Sequence, residues 1–254
     1  MTDSVRIERH GAVLIVTINR PQARNAIDIA VSRGIAASLA ELDQDPALRV
    51  GILCGEGGWF SAGMDLKKFA AGEVPHIDGR GFGGLTEAPP AKPLIAAVEG
   101  GALAGGFEMV LACDLVVAAR DGRFGLPEVK RGLTAAGGGL IRLPQRIPRN
   151  VAMELALRGG FLTAERAYDL GLVNELVEPG TSLAHARAMA ESIAANGPLA
   201  VRETKRIITS SSDWPSEFAF DIQRPITDHV TASEDAREGA AAFVEKREPK
   251  WVGR

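Results

Sequence analysis

The chain has 254 residues, of which 46% are hydrophobic and 24% are charged, so one large domain, or a domain with a helical appendage, is expected around a sizeable core. The formal net charge of −3 argues against a nucleic-acid partner, since such proteins usually carry a basic stripe. No apolar run is long enough to span a bilayer, and residues 1–6 lack the basic start and apolar stretch of a signal peptide.

The two cysteines, Cys54 and Cys113, lie in apolar stretches and show no metal-ligand spacing. Buried, reduced, structural thiols are the expected interpretation. We therefore expect a cytoplasmic protein with no metal, no membrane segment and no nucleic-acid partner.

The N-terminal half is predicted to alternate strands with helices. Residues 5–9 alternate apolar and charged side chains and residues 12–18 form a β-branched run, so two strands are expected there. Asp28 is a candidate N-cap for a helix whose apolar residues recur with helical period. Further strands are expected at 49–54, 92–98 and 115–118. Repeated strand-strand-helix units indicate a layered α/β fold.

The second half of the chain is predicted to be mostly helical from about residue 150, with one short strand at 173–177. Before it, residues 72–90 form a gap rich in glycine and proline, and a loop of that length in a compact domain is usually functional or mobile. The last helices are amphipathic and carry more apolar surface than one core needs. An oligomer interface is therefore expected in this region.

The most informative segment is the glycine-rich run 100–108, which ends at Glu108. An apolar helix is predicted to begin near Ala104. Glycines let a ligand approach the backbone closely, and free N–H groups at a helix start favour negative charge. An acidic residue in a first turn equally suits the dipole of an ordinary helix, so this segment alone is not decisive.

Two other segments complete a candidate site. Residues 60–65 follow a strand and offer the Met64 N–H as a second donor, although Asp65 also suits a plain helix N-cap. Glu128 follows the segment 124–127, where an exposed loop glutamate is the ordinary interpretation. Together, two backbone donors and two carboxyl groups, Glu108 and Glu128, suit water addition across a conjugated thioester.

Other motifs are weaker. The segment 79–84 has the letters G-x-G-x-x-G, but no strand is predicted before it and no helix after it, so a dinucleotide site is not expected. Glycines 100 and 105 have P-loop spacing without the required lysine and hydroxyl residue. No G-x-S-x-G occurs, which argues against a serine hydrolase.

The order and spacing of these segments resemble the enoyl-CoA hydratase/isomerase (crotonase) superfamily over nearly the whole chain. The matching segments are 19–26, 60–65, 100–108, 112–114, 124–128, 238–239 and 243–247. The resemblance implies an α/β fold made of a crotonase-like spiral of ββα units over residues 1–195. It also implies a C-terminal helical trimerisation region over residues 196–254, with trimers that often pair into hexamers.

The resemblance also implies an acyl-CoA substrate, with coenzyme A entering as part of the thioester and no permanently bound cofactor. The Met64 and Gly105 N–H groups would form the oxyanion hole, and Glu108 and Glu128 would be the acid/base pair. Contacts to coenzyme A are expected from Ala23, Arg24, Asn25, Ala26, Ala62, Lys67 and Lys246, the last from the same or a neighbouring subunit. The acyl pocket is expected to include Trp59, Leu66, Leu133 and Thr134.

Retention of both glutamates favours an enoyl-CoA hydratase. An enoyl-CoA isomerase is the nearest alternative, because isomerisation often needs only one acid. Segments 126–128 and 142–144 show a looser similarity to the carnitinyl-CoA dehydratase branch, which implies an unusual acyl group. A non-catalytic acyl-CoA-binding protein is the alternative of another class, since fold alone does not fix function.

Overall fold

The computed structural model describes residues 4–254; the first three residues, on which the expected absence of a signal peptide partly rests, lie outside the described part. The strands are, in chain order, β1 (Val5–His10), β2 (Val13–Ile18), β3 (Val50–Gly55), β4 (His76–Ile77), β5 (Gly81–Phe82), β6 (Leu94–Val98), β7 (Gly101–Leu103), β8 (Leu115–Ala119), β9 (Arg123–Gly125), β10 (Leu162–Thr163) and β11 (Glu175–Val177). The α-helices are α1 (Ile29–Gln44), α2 (Leu66–Ala70), α3 (Gly105–Ala112), α4 (Gly139–Arg146), α5 (Arg149–Arg158), α6 (Ala164–Asp169), α7 (Ser182–Ala194), α8 (Pro198–Ser210), α9 (Ala219–Thr231) and α10 (Glu234–Glu245).

The main sheet has the order β1-β2-β3-β6-β8-β11. β1 pairs antiparallel with β2, and every other pair in this sheet is parallel. All residues of β2 are buried, because both faces of the sheet are covered. This explains why its sequence is a continuous apolar run, and it confirms the predicted layered α/β fold.

The two faces of this sheet pack against different helices. On β3, Ile52 belongs to the cluster that includes the alanines of α7, whereas Leu53 belongs to the cluster that includes α1 and α3. The alternation follows from the two-residue period of a strand. The predicted helix cap is also confirmed, since Asp28 Oδ1 accepts a 3.0 Å hydrogen bond from the Val31 N–H at the start of α1. Cys54 and Cys113 are buried, as predicted.

A second, small sheet has the order β10-β9-β7 and was not predicted from the sequence. Its strands β7 and β9 run parallel, with Gly101 opposite Arg123 and Leu103 opposite Gly125. Parallel neighbours end at the same edge of a sheet. Because α3 follows β7 and the segment 126–128 follows β9, this pairing brings the two predicted glutamates to one edge.

The predicted gap at 72–90 contains the short hairpin formed by β4 and β5. The expectation that no strand precedes the segment 79–84 was therefore wrong, since the two-residue strand β4 is too short to leave a sequence pattern. No helix follows that segment before β6, so the helix of a dinucleotide-binding turn is still absent there. The hairpin packs against α1. The Ser32 hydroxyl of α1 donates a 3.0 Å hydrogen bond to the carbonyl of Pro75, just before the hairpin.

The C-terminal helices α8, α9 and α10 pack mainly on one another, whereas α7 lies on the main sheet. The nearly buried Asp235 anchors the end of the chain by accepting hydrogen bonds from the Val252 and Gly253 N–H groups. Large apolar side chains remain exposed on this region, including Phe220 and Phe243. Among residues 4–254, no helix combines the length and the apolar character that crossing a bilayer requires.

Candidate active site

Two backbone segments meet at the start of α3. The Leu103 N–H donates a 2.9 Å hydrogen bond to the Ser61 carbonyl, so the segment 61–64 runs beside β7. Gly63, at φ 88°, approaches so closely that a Cβ there would lie 2.8 Å from the Leu103 carbonyl oxygen and 3.0 Å from the Gly105 nitrogen. The contact requires glycine, and it brings Met64 next to Gly105.

Both N–H groups at this junction are free. In the part of the chain that the structure describes, neither the Met64 N–H nor the Gly105 N–H donates to a protein acceptor. Gly105 is the first residue of α3, so its N–H has no partner within the helix. Two adjacent unpaired donors can stabilise an oxygen that acquires negative charge.

The residue before Gly105 has an unusual backbone conformation. Ala104 has φ 51° and ψ −130°, and a positive φ is uncommon outside glycine. Its N–H donates a 2.8 Å hydrogen bond to the Gly125 carbonyl of β9, which fixes this geometry. Strain of this kind concentrates at functional sites, where the surrounding structure holds it.

Glu108 is 3% exposed in the first turn of α3. Its Oε1 accepts a 2.9 Å hydrogen bond from the Gly139 N–H. The backbone is so close that a Cβ at Gly137 would lie 2.8 Å from Oε2. Burial raises the pKa of Glu108, while the Gly139 and Gly137 N–H groups and the positive charge of Arg142 oppose that rise.

Glu128 lies in the 3-10 turn Glu128–Arg131 that follows β9. Its Oε2 is buried and has no hydrogen-bond partner among the described residues. Burial, together with the nearby charge of Glu108, raises the pKa of Glu128 to about 7. The two carboxyl groups are therefore unequal. Glu108 has donors that stabilise its ionised form, and Glu128 readily stays neutral near pH 7.

An apolar cavity of about 510 Å³ adjoins Glu128. Its lining residues, mostly apolar, are Leu126, Glu128, Val129, Thr134, Ala135, Leu140, Leu143, Pro144, Arg149, Ala152, Met153, Ala156 and Leu157. Leu126 borders both regions, because a Cβ at Gly139 would lie 3.1 Å from Glu108 Oε1 and 3.2 Å from the Leu126 side chain. The cavity thus begins beside the carboxyl pair.

Comparison with known proteins decides the family. The model of the family described as enoyl-CoA hydratase/isomerase matches residues 8–254. The chain belongs to this family. It is therefore an enzyme of the crotonase superfamily, and the members of this group act on CoA thioesters.

Solved structures and curated relatives agree with this assignment. The crystal structure of an enoyl-CoA hydratase from Mycobacterium tuberculosis H37Rv is 60% identical, with a TM-score of 0.98 over 99% of this chain and 100% of that one. A carnitinyl-CoA hydratase from Mycobacterium avium is 41% identical, with a TM-score of 0.80 and full coverage of both chains. A carnitinyl-CoA dehydratase from Salmonella enteritidis PT4 is also 41% identical, over 100% of both chains.

The structure does not place all of the predicted acyl-pocket residues around the cavity beside Glu128. Thr134 lines the cavity, whereas Trp59, Leu66 and Leu133 do not. The Trp59 ring instead packs on the backbone of Gly101, with the guanidinium groups of Arg24 and Arg123 at 5.2 and 5.3 Å from its centroid.

Much of the cavity wall comes from α4 and α5, including Leu143, Ala152 and Met153, which sequence reasoning missed. Only their position after the glycine segment 137–139 could have drawn attention to them.

The predicted coenzyme A contacts form two groups. Segment 23–26 lies beside the free donors, since the Ala62 N–H donates a 2.9 Å hydrogen bond to the Arg24 carbonyl. Arg24 and Lys67 are exposed, Ala23 and Ala62 are half-buried, and Ala26 is buried. Lys246 is exposed at the end of α10. No hydrogen bond or ion pair joins Lys246 to segment 23–26 within the described chain, and its role across a subunit boundary stays a prediction.

Asn25 has a structural task in this segment. Its Nδ2 donates to the Glu56 carbonyl at 2.8 Å and the Trp59 carbonyl at 2.6 Å, and its Oδ1 accepts from the Arg20 N–H at 2.9 Å. Asn25 is fully buried and has a positive φ. Both Nδ2 hydrogens are used within the protein, the Asn25 N–H donates to the Arg20 carbonyl, and the Asn25 carbonyl accepts from the Ser61 hydroxyl. Asn25 therefore holds the loop together, and its predicted contact with coenzyme A stays a prediction.

Proposed function

We propose that this protein is an enoyl-CoA hydratase, which reversibly adds water to a 2-enoyl-CoA thioester. The observation that carries the proposal is the unequal carboxyl pair, Glu108 and Glu128, held beside the free N–H groups of Met64 and Gly105. Hydration needs one group that accepts a proton, one that donates a proton, and donors for the thioester oxygen.

In this mechanism the thioester carbonyl oxygen accepts hydrogen bonds from Met64 and Gly105. The Glu108 carboxylate removes a proton from water as the water oxygen bonds to the β-carbon, and electron density moves onto the thioester oxygen. The neutral Glu128 then donates its proton to the α-carbon. Each oxyanion donor contributes about 3–4 kcal/mol to transition-state stabilisation in comparable sites. The protons balance, since one carboxyl gains what the other loses.

The second carboxyl group supports hydration over isomerisation. Moving a double bond along an acyl chain requires removal and return of one proton, which a single carboxylate can perform. A second buried acid with an unpaired oxygen costs stability, because burying an unsatisfied polar group is unfavourable. The same cost argues against a non-catalytic acyl-CoA binder, which has no use for it.

A carnitinyl-CoA dehydratase-like activity is the second candidate, and relatives with that name at 41% identity favour it. A carnitinyl group carries a trimethylammonium ion, which proteins commonly hold with aromatic rings or carboxylates. The residues that line the cavity include no aromatic ring and only one acid, Glu128. The cavity therefore suits an uncharged acyl chain better.

The remaining parts of the proposal concern binding and assembly. We propose that the coenzyme A nucleotide lies along segment 23–26, with Arg24, Lys67 and a partner subunit's α10 near its phosphates. The exposed apolar side chains of α9 and α10, including Phe220 and Phe243, support a homotrimer or a hexamer made of two trimers.

The deciding experiment is incubation with crotonyl-CoA in heavy-oxygen water, followed by mass spectrometry of the product. Labelled 3-hydroxybutyryl-CoA is the expected result. A double-bond isomer without label from a suitable 3-enoyl-CoA would identify an isomerase. Label that enters only carnitinyl-type thioesters would identify the second candidate. Tight acyl-CoA binding without turnover of any of them would contradict enzymatic hydration altogether.

A further inference from the structure

Arg142, in the first turn of α4, is a half-buried arginine without an ionic partner. Its Nη2 donates a 2.6 Å hydrogen bond to the Thr86 carbonyl. Within residues 4–254, no carboxylate lies within ion-pair distance of its guanidinium. A buried charge without a paired carboxylate is costly, so its position calls for a reason beyond packing.

The first contact of Arg142 is with the glycine segment that encloses Glu108. A Cβ at Gly138 would collide with Arg142 Nη1, so the guanidinium lies directly against that backbone. On either side of Gly138, the backbone at Gly137 and Gly139 touches the Glu108 carboxylate. Arg142 therefore contacts Gly138, the residue between the two glycines whose backbone contacts Glu108.

The second contact of Arg142 is with the segment 81–86, which lies over α3. Within this segment the Phe82 ring occupies the space beside Gly105 where a side chain would otherwise project. A Cβ at Gly83 would lie 2.7 Å from the Met109 sulfur. The segment thus packs against the Cα of Gly105 and against the next turn of the helix. By donating to the Thr86 carbonyl, Arg142 links segment 81–86 to segment 137–139, which contacts Glu108.

We propose that Arg142 is a positioning residue for the reaction: its guanidinium holds segment 137–139 against Glu108 and segment 81–86 against Gly105, and it adds a positive charge to the surroundings of Glu108. The role rests on the proposed hydration, in which Glu108 is the base. The charged and titratable groups that act on Glu108 are Glu128 from the turn after β9 and Arg142 from α4. The Gly137 and Gly139 N–H groups complete its surroundings.

Charge and geometry can be separated by substitution. Arg142→Gln keeps a donor for the Thr86 carbonyl and removes the charge. Arg142→Lys keeps the charge and loses the planar, two-sided guanidinium. Arg146 provides a matched control, since it is also half-buried on α4, one turn later, and donates to the Cys113 carbonyl instead.

The test measures kcat/KM for hydration against pH in the full-length protein. In Arg142→Gln the acidic limb moves to higher pH, because Glu108 loses a favourable charge. In Arg142→Lys the limb stays in place while kcat falls about tenfold, through loss of alignment. In Arg146→Gln the acidic limb stays where it is in the wild type, and Arg146→Lys loses less kcat than Arg142→Lys.

A second readout does not depend on turnover. Carbon-13 NMR of labelled glutamate carboxyls titrates Glu108 directly, with its signal identified by its loss in Glu108→Gln. A higher Glu108 pKa in Arg142→Gln, and not in Arg146→Gln, supports the proposal. An unchanged Glu108 pKa in Arg142→Gln overturns it. If Arg142→Gln does not fold, equal kcat losses in Arg142→Lys and Arg146→Lys overturn it instead.

Failure of the proposed hydration is distinguishable from failure of this inference. A wild-type protein that hydrates no 2-enoyl-CoA contradicts the proposed function, and the NMR titration then decides the role of Arg142 by itself. A wild-type hydratase whose acidic limb is the same in Arg142→Gln contradicts only the role of Arg142.

Discussion

The Gly139 N–H donates a 2.9 Å hydrogen bond to Oε1 of Glu108, so the first residue of α4 stabilises a carboxylate on α3. Free N–H groups at a helix start favour anions, and here one of them is aimed at a side chain that is almost fully buried. This bond explains how Glu108 can ionise despite its burial. It also makes the position and the charge of Glu108 depend on the backbone of Gly137 and Gly139.

The glycine segment gives the first prediction. A Cβ at Gly137 would lie 2.8 Å from Glu108 Oε2, so Gly137→Ala must displace the carboxylate. We expect kcat to fall roughly 10- to 100-fold, because small misplacements of catalytic groups are costly. Gly160→Ala is the control, since nothing lies within 4 Å of a Cβ there. Steady-state kinetics of the two variants tests this, and similar kcat values would contradict it.

The carboxyl pair gives the second prediction. Glu108→Gln and Glu128→Gln should each lower kcat by about 10²- to 10⁴-fold, since each removes one general acid or base. Glu178→Gln is the control, because Glu178 is exposed and pairs with Arg120 on the surface. Hydration kinetics is the measurement. Near-normal turnover in both site variants would remove the basis of the proposed mechanism.

The pH profile gives the third prediction. Hydration needs Glu108 ionised and Glu128 neutral, so kcat/KM should be bell-shaped. The pKa of Glu128 is raised to about 7, and the alkaline limb should therefore fall near pH 7. The two limbs belong to the coupled pair. In Glu128→Gln the residual activity should keep the acidic limb and lose the alkaline one. An alkaline limb that persists unchanged in this variant would assign it to another group.

The same raised pKa has a consequence for stability. An acid whose pKa is higher in the folded state than in the unfolded state lowers the free energy of unfolding once it ionises. For Glu128 this loss of stability is absent well below its ordinary pKa of 4.5 and complete above about pH 7. With solvent screening, the cost is about 1 kcal/mol. Glu128→Gln should therefore raise Tm by about 2–4 °C at pH 8 and by much less at pH 5. Calorimetry at both pH values measures the difference, and an equal shift at both would contradict this origin.

The sequence predicted the carboxyl groups of the site better than the residues that line its cavity. Glu108, Glu128 and the glycines around them form recognisable local segments. The strands β7 and β9, which bring the two glutamates to one edge, are only three residues long and contain glycine, so they leave no periodic pattern. Ala152 and Met153 line the cavity from α5, but apolar helix residues have the same pattern whether they fill a core or border a cavity.

Two other residues show why a site cannot be read fully from local patterns. The hydrogen bonds of Asn25 reach the carbonyls of Glu56 and Trp59, 31 and 34 residues away, so its structural task depends on tertiary contacts. Arg142 reaches the Thr86 carbonyl across 56 residues. In a sequence, an arginine on a helix suggests an exposed position, and only the fold reveals what surrounds its guanidinium.

The free donor of Met64 gives the last prediction. In the described chain the Met64 N–H has no acceptor, so a proline there removes a donor that the fold does not use. The preceding Gly63 has φ 88°, and glycine tolerates the restriction that a following proline imposes. Met64→Pro should lower kcat about 10²- to 10³-fold with a near-normal Tm.

Met64→Leu keeps the N–H and a similar side-chain volume, so its kcat should stay close to that of the wild type. The pair of variants separates the backbone donor from the side chain. Hydration kinetics and thermal unfolding of both proteins make the test. If Met64→Leu loses as much activity as Met64→Pro, the side chain rather than the N–H serves the reaction. If neither variant loses activity, the Met64 N–H does not bind the thioester oxygen. A donor other than Met64 would then have to act together with the Gly105 N–H.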